Sequence, residues 1–518
     1  MTPPEPSLLL RRFFAVVRDR SSQLAMSDEH EQVTFAELGA RVRRVAAALE
    51  RRGLRGKRLA LLLPQGSGWV EAFFGALASG ATVVPLSHLH PEAEQRGFIA
   101  ASRAEALISS RYFAQGEALA DALPMHTLEE LRLGSRGEPN GAATTEPFPP
   151  GNSLAIILYT SGTTGKPKGA LIHHDHLGRL TELLSAAWEV NHTDTLLHCL
   201  PLHHLHGLGI ALLTALTSGA SIRMFERFDA ARLFSAMERA TLFMGVPTMH
   251  KLLLNALDDA DEDTQATWRH NAAKLRLVTS GSAALPVSVG ERWRQLTGSY
   301  PLERFGMTEI GVGLTNPLAG PRRPGSVGLP LPGMQIRVVN EHGEDAAPGE
   351  PGELWIAGPT VFAGYDGDPG ATSASFEGAW FKSGDTAAWE AGGYCKILGR
   401  TSVDILKSGG YKLSALELEE LLRTHPDIAD AAVVGIPDET WGEIAVAGLL
   451  LVPHATLDEA SLREWAKERV AAYKVPRRAL SFDDFPRNPV GKVMKPTLKQ
   501  WITERLAKPQ NPPHLEGP

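Results

Sequence analysis

The N-terminal part of the chain alternates between helical and strand-like spacings of apolar residues. Thr34 and Glu37 have the spacing of a capping box, and a helical pattern follows them. The apolar run at 58–64 predicts a buried strand, residues 69–78 predict a helix, and residues 81–86 predict a second strand. This strand–helix–strand order predicts an α/β fold built on a largely parallel sheet.

The pattern changes again further along the chain. A strand-like run at 154–159 ends in a turn rich in glycine and threonine, and the glycine- and proline-dense segment 320–365 predicts a small β subdomain. A boundary is predicted near 399–404, and beyond it Ser414 and Glu417 form a second capping box. Two strands and a helix are predicted at 430–436, 444–452 and 458–472. The C-terminal part is therefore predicted to be a separate small α+β domain.

The composition is that of an ordinary globular protein. Hydrophobic residues make up 43% of the 518 residues and charged residues 21%, which excludes a disordered or fibrous chain. The 52 Lys and Arg residues against 59 Asp and Glu residues give a net charge of -7, so no basic excess favours nucleic acid or an anionic membrane. No apolar run approaches the roughly 20 residues of a membrane span.

The cysteines and the first residues bear on the cellular location. Only Cys199 and Cys395 occur, without a CxxC metal pattern, which favours a reducing compartment. The apolar run Leu8–Leu10 is too short for a secretory signal. An amphipathic organelle-targeting segment is the alternative, and Glu5 and the early prolines weaken it. We predict a cytoplasmic protein without a membrane span or nucleic-acid partner, acting as a monomer or homodimer.

The strand predicted at 154–159 leads directly into a turn with phosphate-binding chemistry. Glycines let the backbone approach a ligand, successive N–H groups form an anion-binding concavity, and Ser and Thr hydroxyls add donors. The Walker A motif has four residues between its glycines and Ser or Thr after its lysine, so a P-loop ATPase is disfavoured. The predicted phosphate-binding residues are Thr160, Ser161, Gly162, Thr163, Thr164, Gly165, Lys166 and Lys168.

Four more motifs follow this turn. They are Glu303-Arg304-Phe305-Gly306-Met307-Thr308-Glu309, Lys382-Ser383-Gly384-Asp385, Gly399-Arg400 and Pro486-Arg487-Asn488-Pro489-Val490-Gly491-Lys492. Together with the glycine-rich turn, they resemble in sequence and in order the signatures of the adenylate-forming superfamily. That superfamily comprises acyl-CoA synthetases, nonribosomal peptide adenylation domains and luciferases. The resemblance covers residues from about 30 to 500.

The resemblance implies a two-step ligase that uses ATP, Mg²⁺ and CoA. ATP and a carboxylate would give acyl-AMP and pyrophosphate, and a CoA thiol would then displace AMP. In the first step Lys492 would stabilise developing charge, Glu309 would hold Mg²⁺, and Thr308 would donate to the α-phosphate. The other implied nucleotide-binding residues are Gly281, Ser282, Arg304, Phe305, Gly306 and Met307, with Asp385 and Arg400 at the ribose.

The resemblance also implies a division of the chain. A large N-terminal adenylate-forming domain of α/β subdomains with a small β subdomain would take residues 1–400, a hinge 401–404, and a small mobile α+β domain 405–518. Rotation at the hinge would separate the two half-reactions. The residues expected to line the CoA tunnel are Gly409, Gly410, Tyr411 and Lys412. A plain turn before a capped helix is the alternative for this segment.

Three segments, at 276–286, 306–311 and 400–417, resemble the malonyl-CoA synthetase branch of the family. A dicarboxylate keeps one free carboxylate after activation, and burying that group requires a cation or several donors. We predict that Arg276 supplies the cation, with a structural ion pair as its alternative role. His204, His206 and Thr248 are predicted beside the acid. Zinc binding by the histidine-rich stretch His198, His203, His204 and His206 is the less favoured alternative.

The predicted acid is therefore malonate, with methylmalonate a close second and a monocarboxylic fatty or aryl acid as the alternative. CoA is the expected acceptor, because no carrier-protein domain follows in this sequence. The hypothesis from a different class is a nucleotide-binding regulator that has lost catalysis. Glu309, Asp385, Arg400 and Lys492 together argue against it.

Overall fold

The computed structural model describes residues 4–133, 148–160, 167–408, 411–487 and 493–507. The chain forms two compact units. The large unit contains Met1–Leu285, Val289–Ile336 and Ile356–Phe381, and the small unit contains Pro286–Ser288, Arg337–Trp355 and Lys382–Pro518. Residues 382–400, which we predicted in the large domain, group with the small unit.

Helices and strands interleave along the chain. The helices are α1 (Leu8–Asp19), α2 (Phe35–Arg51), α3 (Ser67–Ala78), α4 (Glu92–Ser102), α5 (Ala114–Ala118), α6 (Leu128–Leu133), α7 (His174–Trp188), α8 (Thr214–Thr217), α9 (Ala230–Ala236), α10 (Pro247–Asp259), α11 (Glu262–Ala272), α12 (Val287–Thr297), α13 (Pro369–Ala374), α14 (Ala415–Leu422), α15 (Glu459–Lys467) and α16 (Lys495–Ala507). A π-helix covers His206–Leu213, and short 3₁₀ turns cover Met237–Arg239, Ala391–Gly393 and Ala472–Lys474.

The strands are short in the large unit and longer in the C-terminal part. They are β1 (Leu24–Ser27), β2 (Gln32–Thr34), β3 (Arg58–Leu61), β4 (Thr82–Pro85), β5 (Ala106–Ser109), β6 (Met125–Thr127), β7 (Leu154–Thr160), β8 (Lys168–His173), β9 (Thr195–His198), β10 (Ser221–Met224), β11 (Leu242–Gly245), β12 (Leu277–Ser280), β13 (Leu302–Met307), β14 (Gly311–Thr315), β15 (Leu329–Pro330), β16 (Gln335–Val339), β17 (Gly352–Ala357), β18 (Phe376–Glu377), β19 (Trp380–Trp389), β20 (Cys395–Arg400), β21 (Ile405–Ser408), β22 (Tyr411–Ser414), β23 (Ile428–Asp438), β24 (Gly442–Leu451) and β25 (Arg478–Ser481).

A six-stranded sheet contains the strands predicted at 58–64 and 81–86. Its order is β6-β5-β3-β4-β7-β8. Neighbouring strands are parallel except at one edge, where β8 returns antiparallel to β7. Helix α3 lies between β3 and β4 in the chain, so the predicted α/β architecture is confirmed.

A nine-stranded sheet positions the site. Its order is β15-β14-β13-β12-β11-β9-β10-β1-β2, and β9, β11, β12 and β13 run parallel. The carboxyl ends of these strands therefore meet at one edge, where ligands bind in open α/β sheets. Ser280 pairs with both Gly245 and Glu303, so Gly281, which follows β12, lies beside Arg304 of β13.

The N-terminal helix belongs to the core of the large unit. Ser7 caps α1 by accepting a hydrogen bond from the Leu10 N–H at 3.2 Å. Leu9, Leu10 and Phe13 are fully buried, and the Phe13 ring stacks on Phe74 with centroids 4.0 Å apart. These apolar residues therefore contribute to the core of the large unit. Within the described ranges, no helix combines the length and apolar character needed to cross a bilayer.

The remaining strands form two five-stranded sheets. One has the order β16-β17-β19-β18, with β20 beside β19, and the other has the order β22-β21-β24-β23, with β25 beside β24. The strands predicted at 430–436 and 444–452 are parts of β23 and β24, and the helix predicted at 458–472 is α15, which ends at Lys467. Ser414 caps α14 by accepting from the Glu417 N–H at 3.1 Å, as its spacing predicted.

Candidate active site

The glycine-rich turn joins two antiparallel strands of the six-stranded sheet. Thr160 ends β7, Lys168 begins β8, and the two are paired, with the Thr160 hydroxyl 3.4 Å from the Lys168 carbonyl. The predicted phosphate contacts Ser161–Lys166 lie outside the described residues. The chain enters strand β8 after this segment, whereas the glycine-rich loop of a P-loop is followed by a helix. We call the segment Thr160–Lys168 the phosphate turn.

Thr308 and Glu309 lie at the turn between β13 and β14. The hairpin is tight, because a Cβ at Gly306 would lie 2.2 Å from the Gly311 carbonyl oxygen, so only glycine fits there. Glu309 is 6% exposed and accepts a hydrogen bond from the Tyr365 hydroxyl at 3.0 Å. The structure therefore holds a nearly buried carboxylate at the hairpin tip, with the half-buried Phe305–Thr308 segment leading to it.

The guanidinium of Arg304 lies buried at the edge where β11 and β12 end. A Cβ at Gly281 would lie 2.4 Å from the Arg304 Cζ, so glycine at 281 makes room for the guanidinium. Arg304 is 4% exposed, and its Nε and Nη2 have no hydrogen-bond partner among the described residues. Buried polar groups are normally paired, so these two nitrogens are candidates for contacts with a ligand.

His206 lies close to this guanidinium. Its Nδ1 is 3.1 Å from the Ser282 hydroxyl, and its buried Nε2 has no partner in the described part of the chain. Ser282 has a φ of +70°, an uncommon conformation for a non-glycine residue that is often found at functional sites. We call Arg304, His206, Gly281 and Ser282 the Arg304 pocket.

The charges of the pocket are set by burial. Burial lowers the pKa of Arg304 to about 10, so the guanidinium remains cationic at neutral pH. Burial and the nearby charge of Arg304 hold the pKa of His206 well below its usual value, so this imidazole is neutral. The pocket thus offers one cation and one neutral hydrogen-bonding ring, which suits an anionic group of a ligand.

Sequence reasoning missed several polar atoms at the same edge. The buried hydroxyls of Thr279 and Ser280 and the Nδ1 of His250 have no partner in the described ranges, while the His250 Nε2 lies 3.1 Å from the Thr279 carbonyl oxygen. Two of these residues, Thr279 and Ser280, could have been predicted as site residues, because they directly precede Gly281 at the end of an apolar run. His250 carried no comparable signal, since a buried histidine on a helix is usually a core residue.

Two of the residues predicted to contact the acid, His204 and Thr248, are exposed. His204 is exposed, and its ring packs on His203 with centroids 4.1 Å apart. Thr248 is exposed in the first turn of α10. The structure therefore brings His206 to the Arg304 pocket and shows neither His204 nor Thr248 among its buried polar groups.

The structure corrects the prediction for Arg276. This residue lies at the amino end of β12, and the Arg304 pocket lies at its carboxyl end. Its Nε donates to Asp194 at 2.7 Å, and its Nη1 and Nη2 donate to the carbonyls of Trp188 and Glu189. Burial alone would raise the pKa of Asp194, but the hydrogen bonds from Arg276, Asn191 and Thr241 hold it below its usual value. Arg276 thus forms the structural ion pair considered as its alternative role.

We expect Arg276→Met to lower the free energy of unfolding by about 3 kcal/mol, because the fully buried Asp194 carboxylate would lose its cation. The ranking of acids as substrates should not change. Urea unfolding and kcat/KM for malonate and propionate check these expectations. Adding Asp194→Asn to the same chain should recover part of the lost stability. If the free energy of unfolding is unchanged and kcat/KM falls for malonate but not for propionate, Arg276 contacts the acid after all.

Asp385 and Arg400 are brought together in the small unit. They face each other across the antiparallel β19–β20 pair, and the Arg400 Nε is 3.2 Å from Asp385 Oδ1. Arg400 also donates to the Ser383 carbonyl at 2.9 Å. The two predicted ribose contacts therefore form one rigid patch. Gly409, Gly410 and Lys492 lie outside the described residues, and Tyr411 and Lys412 belong to β22.

Comparisons with known proteins cover nearly the whole chain. The model of the AMP-binding enzyme family matches residues 13–366, and that of the AMP-binding enzyme C-terminal domain matches residues 417–492. These ranges contain the phosphate turn, the β13–β14 hairpin and the predicted position of Lys492.

Individual relatives and solved structures agree with the family match. The mitochondrial malonate–CoA ligase of Mus musculus is 38% identical over 520 residues, covering 93% of this chain and 88% of that protein. The malonate–CoA ligase of Arabidopsis thaliana is 35% identical over 485 residues, covering 87% and 78%. The crystal structure of ATP-bound MatB from Rhodopseudomonas palustris matches with a TM-score of 0.88 at 31% identity, covering 96% of this chain and 99% of that chain.

Proposed function

The chain belongs to the AMP-binding enzyme family, and we propose that it is an ATP-dependent acid–CoA ligase that converts malonate to malonyl-CoA. The observation that carries the choice of acid is the buried Arg304, whose Nε and Nη2 have no acceptor in the described ranges. Malonate presents a second carboxylate that can accept from both nitrogens. The malonate–CoA ligases among the relatives support the same acid.

The reaction takes place in two steps. First, an oxygen of one malonate carboxylate attacks the α-phosphorus of ATP, and pyrophosphate leaves. Then the sulfur of CoA attacks the acyl carbon, the bond to AMP breaks, and the thiol proton passes to solvent. Arg304 holds the carboxylate that does not react, because this group stays ionised through both steps. This proposal moves Arg304 from the predicted nucleotide contacts to the acid site.

Glu309 fits a Mg²⁺ site beside the triphosphate. Mg²⁺ is usually bound by one or two carboxylates together with phosphate oxygens, so a single nearly buried glutamate at the hairpin tip suits it. When bound, the metal would neutralise phosphate charge. Thr308 beside Glu309 would donate to the α-phosphate, and the half-buried Phe305 would contact the adenine with its ring.

The small unit carries the remaining proposed roles. Asp385 accepts from the ribose hydroxyls, and Arg400 holds Asp385 in place through their 3.2 Å ion pair. Lys492 stabilises the charge that develops during adenylation. Rotation at residues 401–404 replaces Lys492 by the segment 409–412, which then lines the path of CoA. We also propose that the enzyme acts in the cytoplasm.

The test of this function is CoA-thioester formation with Mg-ATP and a panel of acids. Malonate, methylmalonate, succinate, propionate, octanoate and benzoate are ranked by kcat/KM. We expect malonate to lead, with methylmalonate within about 10- to 200-fold, because one methyl group changes binding by about 1–3 kcal/mol. A preference for octanoate or benzoate would support an acid–CoA ligase and contradict malonate as its substrate. If no acid elicits pyrophosphate release from folded protein, the chain is no ligase.

A further inference from the structure

The segment Phe362–Asp366 joins the phosphate turn to the β13–β14 hairpin. The Phe362 N–H donates to the Glu309 carbonyl at 2.7 Å, and the Asp366 N–H donates to the Gly169 carbonyl at 2.7 Å. Between them, Tyr365 forms an isolated antiparallel β-bridge with Ala170 of β8. One short segment is thus hydrogen-bonded to the strand that leaves the phosphate turn and to the backbone of the proposed metal ligand.

The side chain of Tyr365 contacts both elements as well. Its hydroxyl donates to Glu309 Oε1 at 3.0 Å, and the Lys168 ammonium lies 5.2 Å from the centre of its ring. The first contact fixes the orientation of a carboxylate, and the second holds a cation over the negative face of the ring. Tyr365 is therefore the shared neighbour of a predicted phosphate-binding lysine and the predicted metal ligand.

The position of Tyr365 is fixed independently of these two contacts. Its N–H donates to the Thr372 hydroxyl at 2.9 Å. The next residue, Asp366, has a 6% exposed side chain and binds Arg58 at 2.7 Å and Arg103 at 2.9 Å. The Phe362 ring meets the Tyr365 ring edge to face at 4.9 Å. A tyrosine held from several sides can orient its partners, because its own rotamer is already determined.

We propose that Tyr365 is a positioning residue for adenylation, which orients Glu309 for Mg²⁺ and holds Lys168 for the phosphates of ATP. This inference rests on the proposed function and extends it to a residue outside the recognised motifs. A hydrogen bond from a neighbouring side chain holds a ligating carboxylate in its binding orientation, and losing such a bond costs about 10- to 100-fold in metal affinity or activity.

The variant Tyr365→Phe removes the hydroxyl and keeps the ring over Lys168. We expect the Mg²⁺ concentration for half-maximal pyrophosphate release to rise about tenfold, because Glu309 is no longer held in orientation. Calorimetric titration of ATP without acid should show the same rise in Mg²⁺ requirement, with metal-free ATP binding unchanged. Thioester formation from supplied malonyl-AMP and CoA should not change.

Tyr159→Phe is the matched control. This residue lies on β7, and its hydroxyl is hydrogen-bonded to Ser102. Among the described residues, the tyrosine hydroxyl that is hydrogen-bonded to Glu309 is that of Tyr365. The Mg²⁺ requirement of this variant should equal that of the parent chain. A second variant, Tyr365→Leu, also removes the ring and should weaken metal-free ATP binding, because Lys168 loses its contact. Circular dichroism verifies that each variant is folded.

A double-mutant cycle of Tyr365→Phe with Glu309→Gln distinguishes the positioning of Glu309 from a general loss of structure or activity. In that background Tyr365→Phe should cause no further change in Mg²⁺ requirement, since the oriented carboxylate is already absent. A parent-like Mg²⁺ requirement of Tyr365→Phe in both assays overturns the inference. The inference is also overturned if Tyr365→Phe raises the Mg²⁺ requirement as much in the Glu309→Gln background as in the parent chain. The calorimetric result stands even if malonate proves not to be the acid, so failure of the proposed function is recognised separately.

Discussion

Arg304→Met lowers kcat/KM for malonate by about 10³-fold, on the expectation that breaking a buried ion pair costs about 3–5 kcal/mol. Methionine keeps most of the side-chain volume and removes the charge, so the malonate carboxylate would enter the pocket without its cation. The value for propionate should change by less than about tenfold, because its methyl group needs no cation. Steady-state kinetics with both acids gives the comparison.

The stability of the variant distinguishes a substrate contact from a structural role. Since Nε and Nη2 of Arg304 have no acceptor in the described ranges, removing the charge should leave the melting temperature of the ligand-free protein unchanged or raise it. Arg276→Met is the matched control, because Arg276 has all its partners within the fold and its loss should lower the melting temperature. Equal losses with malonate and propionate would place Arg304 at the nucleotide instead.

Lys492→Ala should abolish adenylation and spare thioester formation. A lysine that stabilises charge only in the first transition state contributes to that step alone, and losing one such group typically costs about 10²- to 10³-fold. We therefore expect malonate-dependent pyrophosphate release to fall by at least that factor. Thioester formation from synthetic malonyl-AMP and CoA should remain within about threefold of the parent rate.

The control for this experiment is Lys499→Ala. Lys499 lies in α16, is 41% exposed and lies 3.8 Å from Glu443. A surface ion pair of this kind contributes little, so both half-reactions should proceed as in the parent chain. If Lys492→Ala slows both half-reactions equally, the residue acts in a step that both share, such as binding of AMP.

Features encoded in consecutive residues could be predicted from the sequence. The capping box at Thr34 appears in the structure, and at Ser414 the side-chain cap appears through the hydrogen bond from the Glu417 N–H, because a cap depends on residues three positions apart. The strands β3 and β4 were predicted because a buried parallel strand needs an uninterrupted apolar run. The phosphate turn and the motif that contains Glu309 were recognised for the same reason, since the characteristic residues of each lie in one short run of the chain.

Residues whose roles depend on distant partners could not be predicted in this way. Arg276 directly precedes β12 and Arg304 lies within β13, and the residues next to each arginine do not reveal its partners in the fold. The partner of Arg276, Asp194, is 82 positions away, and the partner of Tyr365, Glu309, is 56 positions away. Such pairs form only when the sheet brings separate segments together.

The sequence by itself determined the family, the order of the motifs and the two-step chemistry that they imply, because those depend on short runs of residues. Only the tertiary structure showed which of the two arginines has its partners within the fold. Folding gives the guanidinium of Arg276 a buried carboxylate and two carbonyls, and it buries that of Arg304 with two nitrogens unpaired among the described residues. A buried cation needs an acceptor, so the charge that the fold leaves unpaired is the one that a ligand can pair.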